Sequence, residues 1–71
     1  MDRDEILATI EEKLGYKKGA LPEHKLLGSC TVYLTRALNL KFGTRVDDKY
    51  VSRKTVRTVI ERFLHSGSNH R

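Results

Sequence analysis

The chain has little of what disulfide-linked, metal-binding or membrane-spanning proteins need. Cys30 is its single cysteine, so no internal disulfide can form and a reducing cytoplasm is the expected compartment. No apolar run approaches the roughly 20 residues of a membrane span, and the acidic start Met1–Glu5 does not resemble a signal peptide. There is also no Cys-x-x-Cys pair and no phosphate-binding loop ending in Gly-Lys-Ser/Thr. These absences favour a small binding module.

Composition and length predict one small globular domain. The chain has 71 residues, of which 38% are hydrophobic and 32% charged. This is enough for one core, near the lower size limit for folding alone. We expect a single helical domain over residues 1–66 and a flexible tail over 67–71.

The first helix is predicted over Arg3–Leu14. Asp2 and Glu5 have the spacing of a capping box, and Gly15 is a suitable left-handed stop. Apolar residues at helical spacing form its predicted buried stripe: Ile6, Leu7, Ile10 and Leu14.

The second helix is predicted over Glu23–Lys41, with Pro22 in its first turn and Phe42-Gly43 at its end. Its predicted buried arc is Leu26, Leu27, Cys30, Tyr33, Leu34, Ala37 and Leu38. Val32 and Leu40 fall on the opposite, polar side together with Arg36. They are either isolated surface residues or a partner-binding patch of Val32, Arg36 and Leu40.

The last helix is predicted over Ser52–Leu64. Ser52 caps its start, and Gly67 is the residue expected to stop it. One side is apolar and the other basic. Between the second and last helices we expect a connector over Thr44–Val51, in which Asp47-Asp48 are turn residues or caps of a short extra turn. Three amphipathic stripes bury their apolar sides best against each other, so the predicted fold is all-α, a small three- or four-helix bundle. The core is short, and a homodimer is an alternative way to hide more apolar surface.

Positive charge is concentrated in the second half of the chain. Residues 1–35 carry five Lys and Arg against six Asp and Glu, whereas residues 36–71 carry nine against three. Such asymmetry favours an acidic partner, either nucleic acid or an acidic protein surface. Membrane binding is not expected, because the apolar face of the last helix is needed for the core.

The segment Val51–Arg57 has the character of a helix-turn-helix recognition helix, in which a capped helix start enters the major groove. We predict base or phosphate contacts for Arg53 and Lys54 and phosphate contacts for Arg57 and Arg62, with Arg45 and Lys49 extending the surface. The alternative is an ordinary solvated helix face, in which Glu61 partly neutralises Arg57.

Most of the chain also resembles the acyl carrier proteins. The residues that carry this resemblance are Ile6-Leu7…Ile10…Leu14-Gly15, Thr31-Val32-x-Leu34-x-x-Ala37-Leu38-x-x-x-Phe42-Gly43, and Val46-Asp47-Asp48 followed by Thr55-Val56-x-x-Val59-Ile60-x-x-Phe63. The resemblance implies a helical bundle and, in a true carrier, a serine bearing phosphopantetheine. That family's Asp-Ser-Leu is absent here: Gly28 stands at the serine position, and Ser29 takes it only after a shift of one residue. The resemblance therefore leaves open a carrier-like fold that serves as an adaptor.

Catalysis and metal binding have weak candidates. The side chains of His24, Cys30, His65 and His70 lack metal-site spacing, and no base is placed to activate Ser29 or Cys30. We therefore predict a non-enzymatic protein without metal or cofactor. The leading function is that of a small basic regulatory module that binds nucleic acid through the last helix. The alternative is a protein-interaction adaptor, and beyond it a carrier modified at Ser29.

Overall fold

Helix α1 spans Arg3–Leu14 and is fixed by its own caps. The Asp2 carboxylate accepts a hydrogen bond from the Glu5 amide at 2.9 Å, and the Glu5 carboxylate accepts one from the Asp2 amide at 3.2 Å. Gly15 ends the helix with a left-handed φ of 82°. The predicted bounds and both caps of α1 are confirmed.

The computed structural model describes residues 1–68 and has three α-helices in this range. α2 spans Val32–Phe42, a short 3₁₀ turn spans Asp48–Tyr50, and α3 spans Val56–Ser68. The predicted all-α bundle is confirmed. No helix of residues 1–68 has both the length and the apolar character that crossing a membrane would require.

The core draws on all three helices and on the segments between them. Its buried hydrophobic residues are Ile6, Ile10, Leu21, Leu27, Leu34, Leu38, Val46, Val51, Val56, Val59, Ile60 and Phe63. Three members of the predicted stripes, Leu14, Leu26 and Tyr33, are instead exposed. Cys30, which was also expected on the buried arc, is exposed as well.

The predicted start of the second helix at Glu23 is wrong by nine residues, because α2 begins at Val32. Residues 23–28 instead run beside residues 53–57. The Leu27 amide donates to the Lys54 carbonyl at 2.9 Å, and the Arg53 amide donates to the Gly28 carbonyl at 3.0 Å. Gly28 and Ser29 have low helix propensity, and the pairing partner lies far along the chain, where local periodicity gives no signal of it.

The predicted bounds of the last helix, Ser52–Leu64, are also wrong. Ser52 to Lys54 form a turn, with Arg53 in the left-handed region at φ 61°, and the helix begins at Val56. The Thr55 hydroxyl, rather than Ser52, accepts a hydrogen bond from the first turn, from the Thr58 amide at 3.3 Å.

The end of α3 also differs from the prediction. Gly67 lies within α3, and a side chain there would collide with the end of the Met1 side chain. Of the predicted tail 67–71, the first two residues are thus helical and residues 69–71 lie outside the described range.

The connector between α2 and α3 extends beyond the predicted Val51 to Thr55, but its start at Gly43 and its short turn at Asp47-Asp48 are confirmed. Gly43 ends α2 with φ 66°, and the Asp47 carboxylate accepts a hydrogen bond from the Lys49 amide at 3.0 Å, which caps the 3₁₀ turn. Asn39 holds the connector against α2. Its side chain donates to the Val46 carbonyl at 2.9 Å and accepts from the Val46 amide at 2.9 Å.

Candidate partner-binding surfaces

The start of α3 is already occupied by other parts of the chain. The Val56 amide donates to the Lys25 carbonyl at 2.9 Å, and the Arg57 amide donates to the Glu23 carbonyl at 2.9 Å. A phosphate site built on the N-terminus of a helix needs free amides there. The backbone of residues 23–25 takes two of these donors, so the start of α3 has fewer amides to offer a phosphate.

Arg57 lies in a locally neutral patch. Its side chain pairs with Glu61 at 3.5 Å on the next turn of α3. Nearby, Arg3 donates two hydrogen bonds to the Glu23 carboxylate, at 2.8 and 2.9 Å. These bonds hold the pKa of Glu23 below its ordinary value, and the charge of Arg57 acts in the same direction. With two arginines facing two glutamates, this part of the surface offers little net charge to a polyanion.

The other predicted nucleic-acid residues separate into two groups. The Arg62 guanidinium stacks 3.9 Å from the centre of the Tyr50 ring, and the Lys49 ammonium lies 5.2 Å from it. Arg45 joins Arg62 and Tyr50 along a hollow of about 220 Å³. We call Arg45, Lys49, Tyr50 and Arg62 the Tyr50 cluster. Arg53 and Lys54 are exposed in the turn before α3 and do not line this hollow.

A larger concavity, of about 820 Å³, lies between α1 and α2. We call it the α1–α2 groove, and its lining residues are Thr9, Glu12, Lys13, Val32, Tyr33, Arg36, Ala37, Leu40 and Lys41. Two of its lining residues, Thr9 of α1 and Ala37 of α2, have small side chains. The predicted partner-binding residues Val32, Arg36 and Leu40 all line it.

The apolar side chains of the α1–α2 groove are unusually exposed. Val32 is 56% exposed, Tyr33 71% and Leu40 85%. Scattered exposed apolar residues are normal on proteins, whereas apolar residues gathered in one concavity mark interaction sites. Three of the charged residues at the edges are basic, Lys13, Arg36 and Lys41, against one acid, Glu12.

Ser29, the candidate attachment residue, is exposed in the irregular segment before α2. Its modification stays a prediction. Cys30 beside it is exposed too. Within residues 1–68 there is no group of three or more His, Cys, Asp or Glu side chains that could hold a metal ion. His70 lies outside that range.

Sequence reasoning missed the residues of α1 that complete the groove. Thr9 lies three residues after Ile6, and Lys13 lies three residues after Ile10, but nothing local shows that α2 packs beside them. The apolar arc of a helix starting at Glu23 predicts Tyr33 in the core. Its neighbour Val32 falls outside this arc, and that is the sequence signal for a wider exposed patch.

Comparison with protein-family models, curated proteins and solved structures finds no match to this chain. The resemblance to acyl carrier proteins therefore stays a prediction, and the geometry of these surfaces is the basis for a proposed function.

Proposed function

We propose that this chain is a small, non-enzymatic protein-interaction module that receives a partner protein in the α1–α2 groove. The observation that carries the proposal is the exposure of Val32, Tyr33 and Leu40 along one concavity. Burying such side chains against a partner removes apolar surface from water at little cost, since the groove is already formed. The unpaired Cys30 supports a reducing, cytoplasmic setting for this interaction.

A site-specific crosslinker tests the proposal. We would place p-benzoylphenylalanine at position 40 and, as a matched control, at position 26, because Leu26 is also exposed, at 64%, but does not line the groove. Irradiation in cells of the source organism should give a discrete protein adduct from position 40 that Arg36→Glu removes. Equal adducts from both positions, or none from position 40, would count against the groove.

Nucleic-acid binding is the second candidate function, and the Tyr50 cluster is the observation that favours it. Lys49 and Arg62 lie over the Tyr50 ring, and Arg45 lines the hollow beside it, although the connector and α3 are separate elements of the chain. Such a concentration of cations attracts phosphate and releases counterions. On this hypothesis the contact surface is the connector and the middle of α3, rather than the start of α3.

Duplex DNA titrated at about 50 and 200 mM salt tests this second candidate. Replacing Arg45, Lys49 and Arg62 by alanine should weaken binding and flatten the salt dependence by roughly one unit of slope per lost contact. The control variant replaces Lys17, Lys18 and Lys25, which removes the same charge from exposed positions elsewhere. Equal losses in both variants would mean that net charge alone, and no particular surface, attracts the DNA.

A further inference from the structure

We propose that the α1–α2 groove receives an amphipathic helix of another protein, with apolar anchors flanked by acidic side chains. This rests on the function proposed above and adds the shape and chemistry of the partner. The shape follows from the lining: residues of both α1 and α2 line the groove, and two of them, Thr9 and Ala37, are small. α2 has 11 residues, which gives a length of about 16 Å. A partner helix of three turns matches this length and offers anchors at positions i, i+4 and i+7.

The charge at the groove edges selects an acidic partner. The ion pairs of residues 1–68 join Met1 with Glu5, Arg3 with Glu23 and Arg57 with Glu61. The basic groove residues Lys13, Arg36 and Lys41 are in none of these pairs, and Glu12 is the one acid among the described lining residues, so the groove keeps a net positive charge. Glutamates beside the apolar anchors of a partner would compensate this charge, and basic residues there would be repelled.

The same charges disfavour a second copy of this chain as the occupant. Arg36 lies on α2 midway between the exposed Val32 and Leu40, four residues from each. In a two-fold dimer through the groove the same surface lies on both sides of the contact, and with the axis near Arg36 this residue meets its own copy. Two Arg36 side chains would then face each other inside an apolar contact, where like charges are costly. A different protein that carries an acid at this point has no such penalty.

Two synthetic peptides test the proposal by fluorescence anisotropy. Both have leucines at i, i+4, i+7 and i+11 on one helical face; one has glutamate at the flanking positions and the other has lysine. We expect the glutamate peptide to bind and the lysine peptide to bind at least tenfold more weakly. Leu40→Ala and Arg36→Glu should each weaken the glutamate peptide by about tenfold, which is about 1.4 kcal/mol. The controls Leu26→Ala and Lys54→Glu, which change exposed residues off the groove, should stay within about twofold.

The outcomes separate the partner chemistry from the groove itself. Equal binding of both peptides, with both lost in Leu40→Ala, would overturn the acidic partner and keep the groove as an interaction site. If Leu40→Ala leaves binding of the glutamate peptide unchanged, that result overturns both the acidic partner and the groove as its binding site. Concentration-dependent dimerisation in sedimentation experiments, lost in Leu40→Ala, would assign the groove to a second copy and overturn the present proposal. Circular dichroism melts of each variant confirm that the fold is kept, as expected for changes at exposed positions.

Discussion

At the scale of single residues, Glu11 shows how a charged side chain becomes structural. It is only 3% exposed, and its carboxylate accepts hydrogen bonds from the Gly19 amide at 2.9 Å and the Leu21 amide at 3.2 Å. These bonds hold the loop after α1 against the helix. Its neighbour Glu12 is exposed, and a sequence-based treatment of charged residues as surface residues cannot tell the two apart.

Replacing Glu11 by alanine should lower the free energy of unfolding by about 2–4 kcal/mol, because two backbone donors lose a charged acceptor. Glu11→Gln keeps one acceptor oxygen and should recover part of the loss. Glu12→Ala is the matched control and should change stability by less than about 0.5 kcal/mol. Urea denaturation followed by circular dichroism measures all three, and equal effects at positions 11 and 12 would contradict the buried role of Glu11.

The Arg3–Glu23 pair predicts a pH dependence of stability. The pKa of Glu23 is lowered in the folded state from its ordinary value of 4.5, chiefly by the hydrogen bonds from Arg3. A lowered carboxyl pKa adds stability above the unfolded-state value, and this stability is lost as the pH falls through the folded-state value. The Tm difference between the wild type and Glu23→Gln should therefore be largest near neutral pH and shrink on acidification. A difference that stays constant from about pH 7 to pH 2 would exclude this linkage.

The backbone conformation of Arg53 predicts how a glycine substitution changes stability. Its φ of 61° lies in the left-handed region, which costs an L-residue about 1–2 kcal/mol. Arg53→Gly relieves this strain but loosens the unfolded chain, so stability should stay equal or rise by up to about 1 kcal/mol. Lys54→Gly, at a position without a positive φ, should instead be destabilising. If both variants lose stability equally in thermal melts, the strain at Arg53 does not contribute.

At the scale of elements, local signals and distant contacts explain what the sequence could predict. The sequence predicts α1 to the residue because its caps, Asp2 with Glu5 and then Gly15, lie within or beside the helix itself. It does not predict the start of α2, because residues 23–28 form backbone hydrogen bonds with residues 53–57 across the fold. The same pairing moves the start of α3 from Ser52 to Val56, since Arg53 must turn the chain before the helix begins.

The junction between α2 and the 3₁₀ turn depends on Asp48. Its carboxylate accepts hydrogen bonds from the Thr31 hydroxyl at 2.8 Å and the Thr35 hydroxyl at 2.7 Å, and both threonines are buried. Asp48→Ala leaves both hydroxyls without this partner and should cost about 1–3 kcal/mol. Asp47→Ala, which removes only the cap of the 3₁₀ turn, should cost less than about 1 kcal/mol.

Hydrogen exchange locates the effect of Asp48. In Asp48→Ala the amides at the start of α2 should exchange faster, while those of α1 keep their wild-type protection. Uniform acceleration across all three helices would show a global loss of stability rather than a local junction.

At the scale of the whole molecule, the basic second half of the sequence does not become one basic face. Arg57 is neutralised beside Glu61 and Glu23, Arg62 stacks on Tyr50, and Arg36 lies at the α1–α2 groove. The sequence shows the amount of charge, and it shows that Val32 and Leu40 lie outside the predicted buried arc of the second helix. It could not show their neighbours across the groove, because α1 and α2 are brought together by a core that is not local in sequence.

The measurement that tests the central claim most directly is a ¹H–¹⁵N NMR titration with the glutamate-flanked amphipathic peptide. We predict that the largest shift changes fall on the groove, at Thr9, Lys13, Val32, Tyr33 and Leu40, with little change in the Tyr50 cluster. Changes centred on Arg45, Tyr50 and Arg62, or no changes at peptide concentrations in the high micromolar range, would contradict the α1–α2 groove as the functional surface.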